Sequence, residues 1–155
     1  MLREFVEKKH YLFADKIDTW QEAIKIACRP IEEDGTVDKS YAQSIIDCIT
    51  KYGPYIIIMP NVAMPHSQEN AKGVNRTAIT FMKVKEPVHF DSNDSDKDAQ
   101  LFFTLASCDS QQHLENMRKL SEMLMNEDLV KELEKAASPE DLLAIQKKYL
   151  DKKPL

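Results

Sequence analysis

The 155-residue chain has only three glycines, three cysteines and one tryptophan. No G-x-x-x-x-G-K-[ST] run occurs, so nothing resembles the backbone cradle that binds a nucleoside triphosphate, and ATP is not the expected phosphoryl donor. Cys28, Cys48 and Cys108 are odd in number, widely spaced and free of any C-x-x-C pairing. That argues against a disulfide framework and a finger-like zinc site; each thiol reads as a small core filler. No two histidines lie four apart on a helix and no cysteine joins them, so no metal is expected. No apolar run is long enough to cross a bilayer. Arg3, Glu4, Glu7, Lys8 and Lys9 interrupt the first segment, so no signal peptide is expected and the expected compartment is the cytoplasm. Internal repeats and linkers are lacking too. The net charge of -5 argues against non-specific nucleic-acid binding, which rests on neutralising phosphates, but leaves a basic partner open.

What is present fits an ordinary globule, 43% hydrophobic and 30% charged, of a length that suits one domain over residues 1–155. Leu2–Lys9 reads as a short helix. Ile17, Trp20, Ile24, Ala27 and Ile31 recur at helical spacing, predicting a helix from Asp18 to Glu33, capped by Asp18 and distorted or ended near Pro30. After the Asp34-Gly35 turn, Asp38 caps a second helix with Tyr41, Ile45, Cys48, Ile49 and Tyr52 inward, and Gly53 stops it. Arg76–Lys85 reads as a strand closed by Pro87. Leu101–Ala106 is apolar on both faces, the pattern of an interior strand covered by helices. Asp94-x-Asp96-x-Asp98 lacks the glycine and glutamate of a calcium loop, so a solvated loop is expected. Asp109 or Ser110 caps a helix to about Met125, with Leu114, Met117, Leu120, Ser121 and Leu124 at helical intervals. Asn126 opens the next helix, and Ser138-Pro139-Glu140-Asp141 the last. The order predicts an α/β sandwich, a mixed sheet with helices on both faces.

The stretch that stands out runs from Tyr52 to Ser67. Tyr55–Met59 has the composition of a buried strand, and Pro60 cannot continue its ladder, so the chain must turn there. Asn61 suits the turn because asparagine tolerates the left-handed region. Met64 is pushed toward extended geometry by Pro65. His66 therefore leaves a stiffened backbone at a strand end. On spacing alone, a half-buried histidine satisfied by one hydrogen bond is the commoner explanation of such a residue.

Ala63-Met64-Pro65-His66, preceded by Met59-Pro60-Asn61-Val62, resembles the A-[IM]-P-H segment of enzyme IIA domains of the sugar phosphotransferase system, mannitol/fructose superfamily (EIIA type 2). With Gly53-Pro54-Tyr55 included, the string is most similar to the ascorbate-type branch, and the likeness runs from about Trp20 to Leu143. The resemblance implies a phosphotransferase in which His66 accepts a phosphoryl group, on Nε2, from the phosphocarrier HPr. It then passes the group to an enzyme IIB, with a membrane enzyme IIC downstream and L-ascorbate as the favoured substrate. Neither metal nor cofactor is implied. The resemblance also gives His113 a supporting role near the acceptor, in the first turn of a helix whose N–H groups could face an anion. Without that match, His113 is equally an exposed histidine after a capping turn. Relatives often carry an arginine just after the acceptor, where this chain has Ser67-Gln68. Ser67 is then the expected phosphoryl-binding neighbour, and Lys51, Lys72 and Arg76 are the candidate replacement cations. His10 and His89 have no place in the motif. The rival reading is a regulatory module of the same fold whose phosphorylation state controls a partner such as a transcription regulator.

Overall fold

Side-chain caps set most helix starts. Thr19 Oγ1 accepts from Glu22 N–H, Asp109 from Gln111 and Gln112 N–H, Asn126 from Leu129 N–H and Ser138 from Asp141 N–H. The computed structural model describes residues 1–67 and 73–151. The helices are α1 (Leu2–Lys8), α2 (Trp20–Glu33), α3 (Ser40–Tyr52), α4 (Ser110–Leu124), α5 (Glu127–Lys135) and α6 (Pro139–Ile145). The strands are β1 (Tyr11–Ala14), β2 (Ile57–Met59), β3 (Asn61–Ala63), β4 (Ala78–His89) and β5 (Asp98–Ala106).

They form one sheet in the order β1-β4-β5-β3-β2. β1 with β4 and β3 with β5 are parallel; β4 with β5 and β2 with β3 are antiparallel. Successive β5 side chains feed opposite faces. Phe102 joins Ile24, Ile31 and Ile45 of α2 and α3, whereas Leu101 and Phe103 join Phe5, Leu120, Leu129 and Leu142 of the other helices. Burying such a large apolar side chain contributes about 1.5–3 kcal/mol, which is why a sheet this short of glycine stays clamped between two helical layers. The expected mixed-sheet sandwich is the fold observed.

Several details differ from expectation. Thr19, not Asp18, caps α2, because its hydroxyl is the one that reaches Glu22. Pro30 lies inside α2 and buried; it forfeits one ladder bond near the helix end, and the helix continues to Glu33. Tyr11–Ala14, which carried no strand signal, is an edge strand. β4 runs through Pro87 to His89, tolerating the proline where its register with β5 shifts between Lys83 and Val88. Ile57–Met59 is the opposite edge, not an interior strand: Ile56 is buried but Ile58 is exposed. Lys39, not Asp38, stands at the N-cap of α3 and gives it no side-chain cap, although Asp38 Oδ1 accepts from Ser40 N–H at 2.9 Å; Tyr52 at the helix end is exposed. Leu114 is 67% exposed and Cys108 is exposed, so neither is a core residue.

Candidate active site

Because β3 and β5 are neighbours and parallel, their carboxyl ends leave the sheet side by side, the usual place for a site in an α/β fold. His66 follows β3 directly, and His113 follows β5 in the first turn of α4. The turn that starts β3 forms as the sequence predicts, with Asn61 at φ 70°. No described peptide bond is cis, those preceding Pro60 and Pro65 included. Past the end of β3, Met64 N–H donates to Ile56 O at 2.8 Å and Leu105 N–H donates to Pro65 O at 2.9 Å. The backbone is therefore tied to both neighbouring segments up to the residue before His66.

The His66 ring is fixed as well. Its Nδ1 lies 2.6 Å from Met64 O. A carbonyl only accepts, so the proton of the neutral ring sits on Nδ1 and Nε2 keeps its lone pair. Burial lowers the His66 pKa below 6.5; the Met64 carbonyl works against this, and the nearby His113 charge adds to it. At neutral pH the ring is uncharged. His113 lies near enough for its charge to act on the His66 ring. The structure also adds a residue with no signal beyond its place in the Gly53-Pro54-Tyr55 string. Tyr55 sets its ring perpendicular to the His66 imidazole, with centroids 5.1 Å apart, and its hydroxyl donates to the His66 carbonyl.

His113 is held differently. Thr77 Oγ1 accepts from both Cys108 N–H and Asp109 N–H at 3.0 Å, fixing the loop that leads into α4. Asp109 then takes the Gln111 and Gln112 N–H groups, at 3.0 and 3.2 Å. Those two amides, which the sequence offered to an anion, are satisfied within the chain by a carboxylate. The His113 imidazole, in the first turn of α4, has an Nδ1 that is buried and has no hydrogen-bond partner among the described residues.

Ser67 is half-buried, with its hydroxyl 3.6 Å from Cys48 Sγ. Of the three candidate cations, Arg76 is turned to Asp34, donating to its carbonyl and lying 3.5 Å from its Oδ1. Lys51 stacks over the Tyr52 ring at 5.1 Å, and Lys72 lies outside the described residues. His10 and His89 each pair with a carboxylate of their own: His10 Nε2 with Asp34 at 2.5 Å and His89 Nδ1 with Asp98 at 2.8 Å. The Thr36 and His10 hydrogen bonds hold the Asp34 pKa at about 2 even though burial pushes it up. Among the described residues no helix is long and apolar enough to cross a membrane.

Residues 4–149 match the family described as phosphoenolpyruvate-dependent sugar phosphotransferase system, EIIA 2. The ascorbate-specific PTS system EIIA component of Escherichia coli (strain K12) is 33% identical over 109 residues, 70% of this chain and 70% of that protein. The solution structure of the mannitol-specific cryptic phosphotransferase enzyme IIA CmtB from Escherichia coli matches with a TM-score of 0.80 at 28% identity, covering 95% of this chain and 98% of that one. A third match shows the fold alone, at 23% identity and a TM-score of 0.76, covering 90% of this chain and 95% of the other. It is a chain in the complex of enzyme IIAMTL and phosphorylated enzyme IIBMTL from Escherichia coli. A mixed sheet that delivers two histidines from adjacent parallel strand ends, in a chain matched over nearly its whole length, belongs to the EIIA type 2 family of the sugar phosphotransferase system.

Proposed function

We propose that the chain, as one EIIA domain over residues 1–155, is a cytoplasmic phosphocarrier. His66 takes a phosphoryl group from phospho-HPr and gives it to an enzyme IIB that serves uptake of L-ascorbate through an enzyme IIC. The observation that carries this reading is the Nδ1–H of His66 on the Met64 carbonyl, which leaves Nε2 as the only nucleophilic atom of the ring. In the forward step Nε2 forms a bond to phosphorus as the bond from phosphorus to the donor imidazole breaks. The donor, protonated on its other ring nitrogen, leaves as neutral imidazole, and the His66 proton stays on Nδ1, hydrogen-bonded to the Met64 carbonyl. Transfer to enzyme IIB is the same exchange in reverse.

Phosphoryl transition states are loose, so most of the catalysis is positioning and charge stabilisation. His113 would donate to an equatorial oxygen; a buried imidazole nitrogen without a partner is costly unless a ligand oxygen supplies one. Ser67, adjacent to His66, would give a second contact. The ascorbate reading is supported by the name of the Escherichia coli relative, and the enzyme IIB reading by the mannitol complex that shares the fold.

The test is mass spectrometry after incubation with phosphoenolpyruvate, enzyme I and HPr, followed by addition of an ascorbate-type enzyme IIB. One acid-labile phosphoryl group, absent in His66→Ala and discharged by enzyme IIB, is expected. An unlabelled wild-type protein would sink the proposal.

A further inference from the structure

Resting on the reading of His66 as acceptor, we infer that Tyr55 is a positioning residue for the transfer, gripping His66 by its ring and by its backbone at once. Two contacts from one side chain carry this. The perpendicular ring packing at 5.1 Å limits rotation of the imidazole about its Cβ–Cγ bond, and the hydroxyl donates to the carbonyl of the same residue. With Nδ1 on Met64 O, His66 is held at three points, two on the imidazole and one on its backbone carbonyl, and Nε2 is aimed along one direction before any donor arrives. Tyr55 can do this because of its place in the chain. Gly53, at φ 82°, ends α3, and Tyr55 N–H donates to Gly53 O at 2.7 Å, so a tight turn rather than a loose loop presents the ring. Ile56, the next residue, is fully buried and receives Met64 N–H on its carbonyl, which locks Tyr55 to the segment that carries His66. Burial keeps the Tyr55 hydroxyl protonated far above neutral pH, so it remains a donor wherever the carrier works.

The experiment compares wild type, Tyr55→Phe and Tyr55→Leu in the rate of labelling by phospho-HPr, with thermal unfolding and 15N NMR of the His66 ring as a function of pH. Removing only the hydroxyl deletes one hydrogen bond of about 1 kcal/mol, so Tyr55→Phe is expected to label about fivefold more slowly. Its ring tautomer and titration should stay those of the wild type. Removing the ring as well frees the imidazole, and Tyr55→Leu is expected to label about 100-fold more slowly. In that variant the Nδ1–H tautomer is diluted, and the titration of His66, on which the His113 charge acts, moves up as water reaches it. A purely structural Tyr55 would shift unfolding without touching tautomer or titration. Labelling of Tyr55→Phe at the wild-type rate overturns the inference, and it does so even if Tyr55→Leu does not fold. A wild type that takes no label overturns the acceptor reading instead, so the two failures are distinct.

Discussion

The segments that deliver His66 and His113 begin at the ends of neighbouring parallel strands, but they restrain their imidazoles in opposite ways. His66 follows β3 closely, and almost everything around it is tied down: Pro65 to β5, Met64 to Ile56, the ring to the Met64 carbonyl and to Tyr55. His113 comes one loop and one helical turn after β5; its backbone is well anchored through Thr77 and Asp109, yet its ring nitrogen Nδ1 has no partner among the described residues. A nucleophile gains from a single tautomer aimed in a single direction. A residue that stabilises charge gains from a donor that nothing else consumes. The two halves of the site differ as those two tasks differ.

If that division of labour holds, the largest effect after loss of His66 itself comes from removing the His113 donor. His113→Ala should still label on His66 but about 100-fold more slowly in single-turnover transfer from phospho-HPr, the usual cost of one lost charge-stabilising donor. Equal rates would erase the distinction. A smaller, sharper effect concerns pH. The His66 pKa lies below 6.5, and neutral imidazole is the reactive form, so labelling should be flat through neutral pH and fall only as pH drops through that lowered value. His113→Gln, which takes away the like charge, should move this acid limb upward toward 6.5. The same lowered pKa has a stability sign. Between it and 6.5 the unfolded chain binds more protons, so stability declines as pH falls through that window, which acid titration of unfolding would reveal. The smallest effect tests the scaffold alone. Thr77→Val strips the acceptor from two backbone N–H groups and should lower stability by about 1 kcal/mol in denaturant unfolding, with Thr77→Ser restoring it.

The residues differ in how plainly they announce their places. Leu101–Ala106 is apolar at every position but Thr104, and it is the interior strand. Asn126 and Ser138 are caps where capping chemistry predicts them. Tyr11–Ala14 gave no such sign: an edge strand half covered on both faces has no period to read, and its pairing with β4 is a long-range event. Pro87 was a stop signal that failed because a register shift let β5 pass a residue with no N–H. Leu114 kept helical phase but points to solvent, since α4 meets the sheet only with its later turns.

The site shows the same boundary. The Met59–His66 string determined the turn at Asn61, the exit of His66 from a strand end and the family resemblance, because proline and asparagine act on the backbone locally. The partners of His66 were decided by tertiary structure. Nothing local brings Tyr55 across to an imidazole eleven residues on, nor His113 near enough for its charge to act on His66. Nor does anything local turn Arg76 away toward Asp34, or occupy the α4 amides with Asp109. Those outcomes depend on which strands are neighbours and which run parallel, and strand order is settled by burying two apolar faces at once rather than by any residue's own preference.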